Sequence, residues 1–140
     1  MRIAYLFTTF PVLSETFLQR EIRAMEDQPV TIEIFSLHKG KKTFEGKKVH
    51  CFKKWELIKL LWFLPKRIYQ NPEAIKTVFK CLWKQQMPSW LNCGETFIGL
   101  AFAIIYADRF NKNKPDLFHA VWATMPASAA MLLREFTGVP

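Results

Sequence analysis

Two apolar, strand-like runs flank one helical run within residues 1–37, and this pattern constrains the chain more than any other feature. Ile3 to Thr8 is nearly continuously apolar, the signature of a strand buried on both faces of a parallel sheet. The chain then breaks at Phe10-Pro11. From Phe17 onward, Phe17, Leu18, Ile22 and Met25 keep helical spacing. Ser14 suits the N-cap of that helix, and Glu15 sits at the positive end of its dipole. "QPV" punctuates, and Val30 to Leu37 (VTIEIFSL) has the β-branched alternation of a second strand. Strand, helix and strand in so few residues make a βαβ unit, which implies a parallel sheet. The predicted fold class is therefore α/β, a Rossmann-like parallel sheet with flanking helices.

The remainder is read the same way. VHCF (residues 49–52) suits a short third strand. In "WELIKLLWFLPKRIY" the residues Leu57, Leu60, Leu61, Leu64 and Ile68 share one helical face, and Pro65 marks a kink or break. "NPEAIKTVFKCLWKQQ" opens with Asn71 as cap and Pro72 in the first turn, followed by Ile75, Val78, Phe79, Leu82 and Trp83 at helical spacing. A third helix runs from about Glu95 to Phe110, and its Gly99, Ala101, Ala103 and Ala107 predict close packing. Asp116 to Ala123 reads as a buried strand, and Pro126 starts a last helix that Gly138 closes. A strand is expected after Gly138, so the 140 residues read as a partial domain.

Charge is distributed unevenly. The chain carries a net charge of +8, and residues 39–67 hold ten Lys or Arg against only Glu45 and Glu56. The whole excess is local and needs a local explanation. Within it, Lys53, Lys54, Trp55, Lys59, Trp62, Lys66 and Arg67 interleave basic and aromatic residues along a helical run, a combination suited to an anionic membrane interface. The plainer alternative is a solvated surface. Nucleic acid competes for any basic patch, but no nucleic-acid-binding motif is present.

Three cysteines, Cys51, Cys81 and Cys93, lack C-x-x-C spacing and read as reduced thiols in a cytoplasmic protein. No secretory signal is visible. The longest strongly apolar run, Phe97 to Ala107, falls short of the roughly 20 residues that span a bilayer.

Taken together, "MRIAYLFTTFPVLSETFLQREIRAM", "VTIEIFSL" and "DLFHAVWATMPASAAMLLREFTGVP" resemble the N-terminal part of family 4 retaining glycosyltransferases of the colanic-acid, capsule and exopolysaccharide type. The similarity covers roughly residues 1–37 and 116–140, and FPxxSETF is its most specific element. The resemblance implies a GT-B architecture of two Rossmann-like domains, of which this chain matches the acceptor-side one and lacks the donor-binding one. It implies transfer of a sugar from a nucleotide-sugar donor to a glycan or lipid-linked acceptor, without a metal or other cofactor; the basic-aromatic segment adds the expectation of a cytoplasmic protein peripheral to the inner face of the plasma membrane. The family's donor-side E-x7-E spacing does not occur here. On this reading the chain alone is inactive, and no catalytic residue is assigned.

Ser14, Glu15 and Thr16 are then candidate substrate-binding residues, contacting the sugar acceptor or the donor's phosphates. The simpler alternative is a capped helix start. His119, within an apolar strand, is either a core histidine or a polar contact at the strand's carboxyl end. His38 and His50, among lysines, read as solvated. The other reading of the chain is a non-enzymatic α/β module that binds a membrane surface or a partner protein.

Overall fold

Strand β1 (Arg2–Phe7) is the centre of the molecule because nothing polar interrupts it: Ile3, Ala4, Tyr5, Leu6 and Phe7 are all buried. A computed structural model describes residues 1–84 and 90–140, with side chains at all of these except 26 and 81–84. β1 pairs in parallel with β2 (Thr31–Ser36) on one side and β5 (Leu117–Ala120) on the other. β2 in turn pairs in parallel with β4 (Lys47–Cys51), and β3 (Thr43–Phe44) closes the edge antiparallel to β4. The order is β3-β4-β2-β1-β5. The arrangement is α/β, a mostly parallel five-stranded sheet with flanking helices, as the βαβ pattern predicts, and it is compatible with a Rossmann-like fold.

Side-chain alternation along β1 divides the core in two. Ile3, Tyr5 and Phe7 point to one face, where they meet Leu18 and Ile22 of α1 (Thr16–Ala24). Ala4 and Leu6 point to the other, against a larger cluster built from α4 (Trp90–Lys112) and α5 (Met125–Thr137). α4 is long and apolar enough to cross a membrane by length and composition alone. In the protein it is the core helix, with residues 99–105, Ala107 and Phe110 buried. Its small residues let α5 approach closely: a Cβ on Gly99 would lie 2.3 Å from the Met125 carbonyl oxygen. α5 ends at Gly138, where φ is 71°, as expected for a left-handed C-cap. Beyond it Val139 is buried and the Pro140 carbonyl accepts a hydrogen bond from the Phe118 amide at 2.8 Å.

Three expectations change. The β3–β4 hairpin, turned by Glu45 and Gly46 at φ 47° and 78°, was not anticipated, and VHCF contributes only the end of β4. Pro65 does not break its helix: a 3-10 segment (Lys54–Lys59) runs into α2 (Leu60–Gln70), which continues through Pro65. Thus the change of helix type precedes the proline. The last predicted strand ends at Ala120, and the chain leaves the sheet before Trp122. α3 spans Pro72–Lys84. The expected continuation to Gln85 and Gln86 lies outside the described residues, as do the side chains of Cys81, Leu82 and Trp83.

The helical run over residues 54–70 is oriented differently from its sequence reading. Leu57, Leu60, Phe63 and Leu64 pack against the core, joined by buried Glu56 and Arg67. Leu61 and Ile68, expected on the same inner face, are exposed. Arg67, expected at the surface, is only 2% exposed. Its Nε donates to the Ile104 carbonyl at 3.4 Å, its guanidinium lies over the Phe136 ring, and Nη2 is 2.7 Å from Asp108 Oδ1. Arg67 is therefore an internal tie between α2, α4 and α5 and belongs to no outer surface.

Candidate functional site

Polar residues gather where the parallel strands end, the edge at which open α/β sheets bind ligands. β1 runs out into Thr8 and Thr9, β2 into His38, and β5 into Trp122 and Thr124. The backbone keeps β1 and β2 in register past their ends, with Leu37 and His38 amides donating to the Phe7 and Thr8 carbonyls at 2.8 Å each. Buried Ser36 then fastens the turn: the Phe10 amide donates to Ser36 Oγ at 3.1 Å, and Ser36 Oγ donates to the His38 carbonyl at 3.1 Å. Gly40 completes the contact, since a Cβ there would lie 2.2 Å from the Phe10 carbonyl oxygen. This scaffold sets the path of the glycine-free FPVLSETF turn, in which the Phe10–Pro11 bond is cis.

Within that turn Ser14 does not cap α1. The N-cap position belongs to Glu15, and no side chain bonds the first-turn amides there. Instead Gln19 reaches back to donate to the Val12 carbonyl at 2.9 Å, and the Leu18 amide donates to the Glu15 carbonyl at 3.2 Å. Ser14 and Thr16 are exposed, while Glu15 is half-buried.

Glu15 lines a cavity of about 450 Å³ together with Thr8, Thr9, Val12, Glu95, Trp122 and Thr124. A second cavity of about 410 Å³ shares Thr8, Thr9 and Glu95 and adds His38, Trp90, Gly94 and Met125. The two form one cleft across the carboxyl edge, with α4 as its far wall. Of the three turn residues, Glu15 alone is among the lining residues. Trp122 holds φ at 94°, a left-handed backbone that a bulky residue adopts at a cost of about 1–3 kcal/mol. Its ring meets Phe17 edge-on at 6.4 Å and is half-exposed.

His119 is placed elsewhere. It pairs with Tyr5 across β1 and β5, so strand alternation puts its ring on the α1 face, 4.6 Å from the Tyr5 ring. Tyr5 donates to Glu21 Oε1 at 2.8 Å; burial, then this bond, raises its pKa above the usual tyrosine range. The histidine at the carboxyl edge is His38. His50 is not solvated: it stacks on Phe35 at 5.1 Å with an Arg109 nitrogen 3.0 Å from Nε2. Burial first and the Arg109 charge second hold its pKa below the ordinary histidine value.

A third cavity, about 410 Å³, shares His38 and is ringed by Lys39, Lys42, Lys53 and Lys54, with Phe52 and Trp55 in its wall. Cys51 also lines it; burial pushes its thiol pKa up, which leaves it a poor nucleophile. Among the described residues no group of three or more His, Cys, Asp or Glu is arranged to hold a metal ion.

The sequence reading missed Thr8, Thr9, His38, Glu95, Trp122 and Trp90 as cleft residues. For Thr8, Thr9 and His38 a signal existed, because each lies within two residues of a strand's carboxyl end. Glu95 and Trp90 reach the cleft only through the packing of α4, which no local pattern reveals. Comparisons with family models, curated proteins and solved structures found no match to this chain.

Proposed function

We propose that this chain is the acceptor-side, Rossmann-like domain of a GT-B retaining glycosyltransferase, which transfers a sugar from a nucleotide-sugar donor to a glycan or lipid-linked acceptor in cell-surface polysaccharide assembly. The observation that carries this reading is the location of Glu15, from the family-like SETF sequence, in an open cleft with Glu95, Thr8, Thr9, Thr124 and Trp122. That set suits a sugar ring. Carboxylates accept from ring hydroxyls, threonine hydroxyls both accept from and donate to them, and an indole face covers the C–H face. The cleft volume matches a ligand of one or two sugar units.

On this reading the donor site and the catalytic groups belong to a second domain, and the 140 residues bind acceptor without turning it over. Saturation-transfer NMR on the purified chain with a panel of free hexoses and short oligosaccharides is the test. Transfer to at least one glycan, lost in Glu15→Gln and Trp122→Ala, is expected. A folded chain that transfers saturation to none of them would overturn the proposal.

A further inference from the structure

The 3-10 segment and α2 together present an outer face whose chemistry is inverted. Trp55, Ile58, Leu61, Trp62 and Tyr69 are exposed, Leu61 at 82%, Trp62 at 78% and Tyr69 at 89%. Trp55, Ile58 and Leu61 follow at three-residue intervals, Trp62 lies four residues after Ile58, and Tyr69 lies two helical turns beyond Trp62, so that they share one side of the element. The same element turns Glu56 and Arg67 inward, where each is nearly fully buried. In water such a partition is unfavourable, because large apolar side chains stay hydrated while charges lose their hydration.

Cations flank the stripe. Lys59 lies 5.3 Å from the Trp55 ring centroid and Lys66 lies 5.8 Å from that of Phe63. At the N-terminal end of the stripe, Trp55 leads into the cavity ringed by Lys39, Lys42, Lys53 and Lys54. An apolar, aromatic ridge bordered by lysines, beside a largely apolar cavity to which four more lysines contribute, complements an anionic lipid surface. The acyl region takes the stripe, the interface takes the indole and phenol rings, and the headgroup phosphates take the lysines.

We infer that the 54–70 face docks on an anionic bilayer, with lipid headgroups seated among Lys39, Lys42, Lys53 and Lys54. The inference stands on this face and cavity and does not need the glycosyltransferase reading. It also sets orientation: the lysine-ringed cavity meets the carboxyl-edge cleft at His38, so a bound bilayer lies beside the cleft mouth.

The test is vesicle flotation of the purified chain, with phosphatidylcholine vesicles and with vesicles containing phosphatidylglycerol. The chain is expected to float with the anionic vesicles only and to be released by high salt. Two variants address the two halves of the proposal. Leu61→Asp with Trp62→Asp changes exposed positions, so circular dichroism should be unchanged while vesicle binding is lost. Lys53→Glu with Lys54→Glu is expected to weaken binding by at least about tenfold, since each cation near an anionic leaflet contributes on the order of 1 kcal/mol. A folded chain that ignores anionic vesicles would overturn the inference, as would binding that survives the Leu61/Trp62 change. Light scattering covers the other occupant: a dimer in solution that the Leu61/Trp62 change dissociates would assign the face to a second copy and overturn the bilayer.

Discussion

α1 and the 54–70 segment are both amphipathic and both turn apolar residues to the core, yet their outer faces differ. α1 buries Leu18 and Ile22 and, apart from Phe17, exposes polar residues such as Thr16, Arg20 and Arg23. The 54–70 segment buries Glu56 and Arg67 and leaves Trp55, Ile58, Leu61, Trp62 and Tyr69 exposed. What differs is the medium that the outer face suits: water for α1, and a less polar surface for 54–70. Amphipathicity alone thus reveals a helix, whereas the residues that end up outside reveal its surroundings.

The comparison is broken most forcefully by mirrored truncations. Ile22→Ala removes a fully buried side chain and should cost about 2–5 kcal/mol in chemical denaturation. Leu61→Ala, on the opposite kind of face, should change stability by less than about 0.5 kcal/mol. Equal losses would mean that the outer stripe is packed in the free chain.

A second substitution probes the inverted charge. Asp108→Asn leaves buried Arg67 without its counter-ion, and Arg67 Nη2 already lacks an aligned hydrogen-bond acceptor. A loss of about 1–3 kcal/mol is expected. The Lys66 hydrogen bond, with the Arg67 charge beside it, holds the Asp108 carboxyl below the usual range. A depressed folded pKa gives stability that is present above the unfolded value, near 3.9, and is lost as pH falls through the folded one. Acid titration of the wild type should therefore show an unfolding component below about pH 4 that Asp108→Asn lacks. An identical acid profile would remove Asp108 from this role.

At the cleft, Trp122→Gly separates strain from function. Glycine accepts the φ of 94° without penalty, so the fold should be as stable as wild type or up to about 1 kcal/mol more stable. Glycan saturation transfer should nonetheless vanish with the ring. The smallest effect is expected at Ser14→Ala. Because Ser14 makes no cap, stability should shift by less than the ~1 kcal/mol that a real cap contributes.

The parallel sheet was legible in the sequence because residues 3–7 of β1 include no charged side chain to mark an outer face, and because α1 carries its charges on one side. The 54–70 segment was not legible in the same way. Leu57, Leu60 and Leu64 line one side of it and Ile58, Leu61, Trp62 and Ile68 another, so periodicity fixes helix but not orientation. Arg67 looked like its neighbouring lysines, since the Asp108 and Phe136 that hold it inside come from later helices. The two-residue β3 carries too little pattern to notice, and Glu45 at positive φ disguises its turn. In the cleft, the SETF stretch drew notice to Glu15, which lines the cavity. It also drew notice to Ser14 and Thr16, which face solvent, because one turn of backbone decides which of three adjacent polar residues points inward. For His119 the alternation of β5 with β1 decided, and that register depends on a strand more than a hundred residues earlier in the chain.

The claim that the outer face of 54–70 is built for lipid is tested most directly by depth-dependent quenching. Tryptophan fluorescence of the chain on anionic vesicles carrying brominated acyl chains should be quenched, and replacing Trp55 and Trp62 together with Phe should remove most of that quenching while vesicle binding persists. Quenching that is absent, or that is unchanged after the two replacements, would contradict the account.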